Sequence, residues 1–301
     1  AVLGPASRNF YVSPDAVYLW VSDAWSRDAR RRGGVRSFAY RIPFRQEPPS
    51  AIAARGAPTD QFSFREDRAS GLLDVLVRAE GGGDWMWNPE VSEGNVALLS
   101  IPIRWFGDGS REVPLNRYRP LPSPGQGWNF QNRFVGNHVL YGLGEAGRGG
   151  STLVAAALRG GPVRQIGLAH AVERIDLLGR DGVVIGSDER GGLHFTAIDL
   201  ARPAASRGDS YAMPRASQGE SRSHGFFYRA DSADGSSGLL GLPIAREVPP
   251  GFHRFFGSAA SILFLRRQQR VFDHAGELGA DYRSAVEDNC IASCVDWYGN
   301  A

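Results

Sequence analysis

The clearest pattern lies between Asn132 and Leu200, where short apolar runs alternate with turn-forming residues. Residues 133–142 predict a strand, a Gly136-Asn137 turn and a second strand. Two more apolar runs follow, and the pattern then restarts around the turn formed by residues 179–182. Strands of five to eight residues joined by Gly, Asn or Asp turns are typical of antiparallel all-β proteins.

The rest of the chain repeats this pattern. A first hairpin is predicted on either side of the Pro14-Asp15 turn, with Pro at a position that presets the turn dihedral. Further strands are predicted at residues 35–44, 60–66, 72–78, 96–104, 225–230, 238–245, 260–265 and 270–272. Groups of three or four strands thus recur about every 40 to 50 residues, which is the period of propeller blades. A β-sandwich would use the same short strands and is the competing architecture.

The pattern has one long interruption. Residues 107–131 are rich in Pro and Gly and are predicted to form a long loop. We predict residues 1–301 to be a single β-propeller-like domain, the C-terminal part of a longer propeller.

Composition narrows the class of protein. The hydrophobic fraction of 42% is sufficient for a packed core. The net charge of +2 gives no support to nucleic-acid binding, although all the basic residues are Arg. No apolar run reaches the length of a membrane helix, so no membrane span is expected.

Tryptophan residues are the best candidates for a contact surface. Trp85 and Trp87 follow three glycines, in a segment from Gly81 to Asn88 that predicts a mobile loop with an apolar tip. With Trp105 and Trp128 they are the predicted ligand-binding residues, because a stacking Trp is costly to leave in water. The alternative is that the loop covers a sheet edge.

The two cysteines, Cys290 and Cys294, have neither zinc-ribbon nor haem-attachment spacing. A local disulfide is the expectation if the protein lies outside the cytoplasm, and free thiols are the alternative.

No catalytic motif is evident. His138, His170, His194 and His224 occur singly and would form a cluster only if equivalent positions converged on one face. Asp176, Asp181, Asp188, Glu189 and Asp199 could supply the two carboxylates that glycoside hydrolysis needs, but turn formation also explains Asp181, Asp188 and Glu189. Residues 142–147 match Gly-x-Gly-x-x-Gly without a following helix, so no nucleotide site is expected. We predict no metal and no cofactor.

Three segments resemble bacterial and archaeal secreted β-propeller domain proteins. Residues 8–19 are similar to a Tyr-Val-Ser hairpin of that family, residues 56–66 to its Gln-Phe-Ser segment, and residues 133–142 to its later blade hairpins. The resemblance implies a propeller fold and a secreted or periplasmic location. It implies no catalytic residue.

Together these observations predict a secreted, non-enzymatic binding or structural module. Its expected partner is a protein or a carbohydrate, and it could assemble with further blades or another chain. The alternative is a carbohydrate-active enzyme, a hydrolase or lyase, with carboxylates facing a channel.

Overall fold

The computed structural model describes residues 8–23, 36–85, 88–125, 129–145, 150–220, 223–246 and 259–279. Within these ranges the secondary structure consists of β-strands and four short 3₁₀ turns, without an α-helix. Two compact units are distinguished, Ala1–Phe134 with His138–Tyr141 and Val135–Asn137 with Gly142–Ala301. The prediction of a single domain stays a prediction.

Two sheets belong to the first unit. The first has the strand order β1-β2-β3-β4-β8 and the second the order β5-β6-β7-β9. The strands are β1 (Arg8–Val12), β2 (Ala16–Asp23), β3 (Arg36–Pro43), β4 (Ser50–Arg55), β5 (Phe64–Asp67), β6 (Leu72–Trp85), β7 (Asn88–Pro102), β8 (Asp108–Glu112) and β9 (Tyr118–Leu121). All pairings are antiparallel except that of β4 with β8.

Three more sheets follow along the chain, again built from consecutive strands. The third sheet has residues in both units, and the fourth and fifth belong to the second unit. The third sheet consists of β10 (Phe130–Val135), β11 (His138–Leu143), β12 (Ser151–Ala157) and β13 (Val163–Leu168). The fourth consists of β14 (Arg174–Leu178), β15 (Asp181–Ser187), β16 (Leu193–Asp199) and β17 (Ser206–Met213). The fifth consists of β18 (Ala216–Gln218), β19 (Phe227–Ala230), β20 (Ser237–Arg246), β21 (Ala259–Gln268) and β22 (Val271–Gly279).

This organisation confirms the predicted fold class, an all-β, propeller-like series of antiparallel sheets. The sheets have four or five strands, where three or four were predicted. Consecutive strands stay in the same sheet, whereas in a sandwich Greek-key connections carry the chain between two sheets. The one exception is β8, which returns to the first sheet from between two strands of the second.

Period-two alternation of side chains builds the cores. In β2, Ala16, Tyr18 and Trp20 point inward and are almost fully buried against the second sheet. The fourth and fifth sheets share a second core, in which Phe195, Leu242 and Leu263 have no exposed surface. Each burial of such a side chain contributes about 1.5–3 kcal/mol to folding.

Two predictions about the connections are wrong. The segment 107–131 is not a continuous loop, because it contains β8, β9 and the start of β10. Its first strand carries almost no apolar residue, so the sequence pattern did not reveal it; pairing with β4 forms it. The segment Gly81–Asn88 is not a loop throughout either, since β6 runs to Trp85 and β7 starts at Asn88.

Candidate functional site

Trp105 ends a 3₁₀ turn that connects the second sheet to the first. Strand β7 ends at Pro102, because a residue without an N–H cannot continue the hydrogen-bond ladder. Ile103–Trp105 then form one turn, in which the Phe106 N–H donates to Ile103 O at 3.2 Å. The indole is half-buried and packs in part on the core of the first unit. The rest of the ring faces the surface.

Two arginines lie over the Trp105 ring. The guanidinium carbon of Arg117 is 4.7 Å from the ring centroid, and that of Arg111 is 5.0 Å from it. Such cation–π contacts contribute about 0.5–1 kcal/mol each at exposed sites. They bring the three side chains together in one group.

The backbone around this group is fixed by the pairing of β8 with β4. Val113 N–H donates to Ala53 O at 2.9 Å, and the Arg55 side chain bonds Glu112 through Nε and Oε1 at 2.8 Å. The Tyr118 hydroxyl accepts from Arg55 N–H at 2.8 Å. These contacts place Arg111 beside the indole although its own strand is exposed to solvent.

Positive charge exceeds negative charge at this place. Arg104, Arg111 and Arg117 form no ion pair with any carboxylate in the described ranges. The two nearby acids are engaged, Glu112 with Arg55 and Asp108 with the backbone and hydroxyl of Ser110.

Leu115 adds an apolar side chain that is 75% exposed, in the 3₁₀ turn Leu115–Arg117. We call Trp105, Arg104, Arg111, Leu115 and Arg117 the Trp105 surface. Trp and Arg are the residues most enriched among those that dominate binding energy at protein interfaces. Guanidinium groups can bind carboxylates through their N–H donors, and the leucine can bury a partner's apolar side chain.

The sequence identified only Trp105 of this group. Arg111, Leu115 and Arg117 fall in the stretch predicted to be a loop, and no periodic pattern marked them. Of the other predicted contact residues, Trp87 and Trp128 lie outside the described residues, as does the side chain of Trp85. The predicted disulfide partners, Cys290 and Cys294, also lie outside them. Their roles stay predictions.

Two of the histidines singled out in the sequence meet, His170 in the connection between β13 and β14 and His194 in β16 of the fourth sheet. The rings of His170 and His194 stack with centroids 5.2 Å apart and planes at 8°. His170 Nδ1 lies 2.8 Å from Ala171 O, and because a carbonyl only accepts, this nitrogen carries the proton. His170 Nε2 therefore accepts from the Thr196 hydroxyl at 2.8 Å, and Thr196 accepts from Ser210 at 2.9 Å.

This chain of hydrogen bonds runs from the buried imidazole to Ser210, which is exposed. His170 and Thr196 are each 1% exposed, and burial, reinforced by the neighbouring His194, lowers the pKa of His170 to about 4. A neutral imidazole oriented by a carbonyl, with no carboxylate behind it, lacks the partner that stabilises an imidazolium in hydrolases. The arrangement fits a structural cross-link between the segment that precedes β14 and the third strand of the fourth sheet, β16.

The carboxylates considered for the alternative glycosidase function are mostly engaged in ion pairs. Asp176 bonds Arg174 at 3.2 Å, Asp199 bonds Arg270 at 2.7 Å, and Asp181 contacts both Arg267 and Arg270. Glu189 is exposed in the turn between β15 and β16.

Asp188 starts that turn and accepts from His194 Nε2 at 2.7 Å. The His194 bond, together with the Gly192 and Arg190 N–H groups, lowers the pKa of Asp188 to about 2. A glycosidase acid needs the opposite shift.

Metal ligands do not gather in the part of the chain that the structure describes. No group of three or more His, Cys, Asp or Glu side chains there could hold a metal ion. Likewise, none of the described residues forms a helix long and apolar enough to span a bilayer.

Comparisons with known proteins leave the family open. No protein-family model and no curated protein sequence matches this chain. Among solved structures, the chain is similar to the WD40 domain of Toxoplasma gondii coronin, with 10% sequence identity and a TM-score of 0.29 over 91% of this chain and 70% of that one. A likeness this low adds nothing to the fold, which is assigned from the sheets of this chain itself.

Proposed function

We propose that this chain is a non-enzymatic binding module, and that its Trp105 surface recognises acidic peptide segments that carry an apolar side chain. The observation that carries the proposal is the placement of two guanidinium groups on one half-buried indole. An aromatic–arginine group of this kind matches the composition of energetically dominant interface sites.

An acidic peptide fits better than a sugar. Sugars stack on open aromatic faces, whereas guanidinium groups already lie over the Trp105 ring. The exposed Leu115 offers a contact for an apolar side chain of the peptide, and Arg104, Arg111 and Arg117 favour carboxylates. A secreted or periplasmic location remains part of the proposal, supported by the family resemblance alone.

The proposal predicts charge-selective peptide binding. A labelled peptide that alternates Glu with Leu should bind the wild-type chain, and its counterpart with Lys in place of Glu should not. Leu115→Asp and Arg111→Glu should each weaken binding by at least about tenfold, the 1.4 kcal/mol step expected at an interface residue of this kind. Fluorescence anisotropy measures the affinities, and added salt should weaken them.

The control is Arg164→Glu, a charge reversal at an exposed position of β13 in the second unit, which should leave the affinity unchanged. Leu115 is mostly exposed, so Leu115→Asp should fold normally. Equal binding of the Glu and Lys peptides, or binding of polygalacturonate in preference to the Glu peptide, would refute the proposal.

A further inference from the structure

The fifth sheet has one face in the core and one face with exposed apolar side chains. Leu240, Leu242 and Leu263 point into the core shared with the fourth sheet. Because side chains alternate along a strand, Pro243, Ile262 and Phe264 point to the opposite side. Strand β19 adds Phe227 and β22 adds Leu278 to this outer face.

The apolar residues of the outer face form two adjacent rows. Phe227, Gly241 and Phe264 are aligned across three strands, and Pro243, Ile262 and Leu278 are aligned next to them. Exposed fractions are 45% for Phe227, 36% for Ile262 and 66% for Leu278. Apolar residues grouped in this way mark an interaction surface more often than single exposed side chains do.

The rings of Phe227 and Phe264 can pack together because position 241 is a glycine. A Cβ at position 241 would lie 2.1 Å from the Phe227 ring, so only glycine allows the ring to lie on the backbone of β20. Phe227 then meets Phe264 edge to face, with centroids 6.1 Å apart. The outer face is therefore a preformed surface.

The next row carries opposite charges at its two ends. It runs Arg229, Leu239, Arg266, Asp273 across β19 to β22. Arg266 is already paired with Asp231. Arg229 and Asp273 are exposed and, within the described ranges, neither forms an ion pair.

We propose that two copies of this chain associate through the outer faces of their fifth sheets. A two-fold axis parallel to the strands reverses the strand order and keeps the rows in register. It therefore places β19 of one copy over β22 of the other, with Arg229 opposite the partner's Asp273, twice in the dimer. Stacked sheets lie about 10 Å apart, a gap that an Arg and an Asp can bridge from both sides.

A second copy fits this face better than a different partner. Arg229 and Asp273 cancel, so the face offers no net charge to attract an acidic or a basic protein. Opposite charges at opposite ends of one row are instead self-complementary under two-fold rotation, as an isologous interface requires. Strands β20, β21 and β22 have nine or ten residues each and β19 has four. At about 3.3 Å per residue and about 4.8 Å between strands, the face covers ~500 Å² per copy. That is at the small end for specific interfaces, so the dimer should be of micromolar affinity.

Charge reversal and its rescue test the proposal. Sedimentation velocity from 1 to 100 μM should show a concentration-dependent dimer for the full wild-type chain. Arg229→Asp and Asp273→Arg should each shift dimer formation to at least tenfold higher concentration. An equimolar mixture of the two variants should restore it, because both cross-pairs are then opposite in charge. Leu278→Asp should also give a monomer.

The matched control is Arg164→Asp on β13, which should dimerise as the wild type does. Circular dichroism checks that each variant is folded. A wild-type chain that stays monomeric at 100 μM would overturn the proposal and leave the face to other residues of this chain or to an unrelated partner. A dimer that forms equally well with Arg229→Asp and with Asp273→Arg would also overturn the proposal. So would an equimolar mixture of these two variants that fails to dimerise.

Discussion

Replacement of Arg267 by Met is expected to lower the free energy of unfolding by about 3–5 kcal/mol. Arg267 has no exposed surface, and its Nη1 donates to Leu178 O at 2.7 Å and to Gly235 O at 2.8 Å. Its Nη2 bonds the buried Asp181. The substitution leaves two carbonyls without this donor and removes one of the two cations beside a buried carboxylate, and urea unfolding measures the loss.

Three variants control this experiment. Arg164→Met, at an exposed position of β13, should change stability by less than about 0.5 kcal/mol. Arg267→Met combined with Asp181→Asn should recover part of the loss, because the buried negative charge is removed as well. If Arg267→Met does not fold, Arg270→Met, which removes the other cation that contacts Asp181, should cost about 1 kcal/mol. A loss below about 1 kcal/mol for Arg267→Met would contradict this description of the buried ion pair.

Acid should destabilise the chain through His170. Its pKa is about 4 in the folded state, against about 6.5 for a histidine in an unfolded chain, so the unfolded chain binds more protons between these values. The contribution of His170 to stability should therefore be complete above pH 6.5 and should fall by up to about 3 kcal/mol as the pH decreases to 4. Urea unfolding at a series of pH values measures the difference between wild type and His170→Gln, which should lack this loss.

Ser210→Ala serves as the control for the acid experiment. It removes the exposed end of the hydrogen-bond chain but keeps the buried imidazole, so the loss between pH 6.5 and 4 should persist. Asp188, with a pKa of about 2, affects stability only at lower pH, because its lowered pKa stabilises the folded state until the carboxylate is protonated. Identical pH profiles of wild type and His170→Gln would contradict the assignment.

Local sequence signals were sufficient to predict the hairpins. The Pro14-Asp15 turn joins β1 and β2 with Tyr11 opposite Tyr18, as the alternation of residues predicts. The turn at residues 179–180 likewise joins β14 and β15. These elements were predictable because turn chemistry and period-two burial act between residues that are close in the chain.

Long-range pairing was not predictable in the same way. Strand β8 has the sequence Asp-Gly-Ser-Arg-Glu, which has no apolar alternation, and only its parallel pairing with β4 makes it a strand. Trp105 was identified because a large aromatic residue is conspicuous in any sequence. Its arginine neighbours depend on how β8 and the turn Leu115–Arg117 return to the same place. The sequence also did not predict the burial of Arg267, because an arginine in a strand is usually exposed.

The most direct test of the proposed function is an NMR titration of the tryptophan indole N–H signals with the alternating Glu-Leu peptide. The Trp105 signal, assigned by its absence in Trp105→Phe, should shift as the peptide binds. The signal of Trp20, which is 1% exposed and donates to Gly56 O at 3.2 Å, should not move. A shift of another tryptophan while Trp105 stays fixed would contradict the Trp105 surface as the binding site.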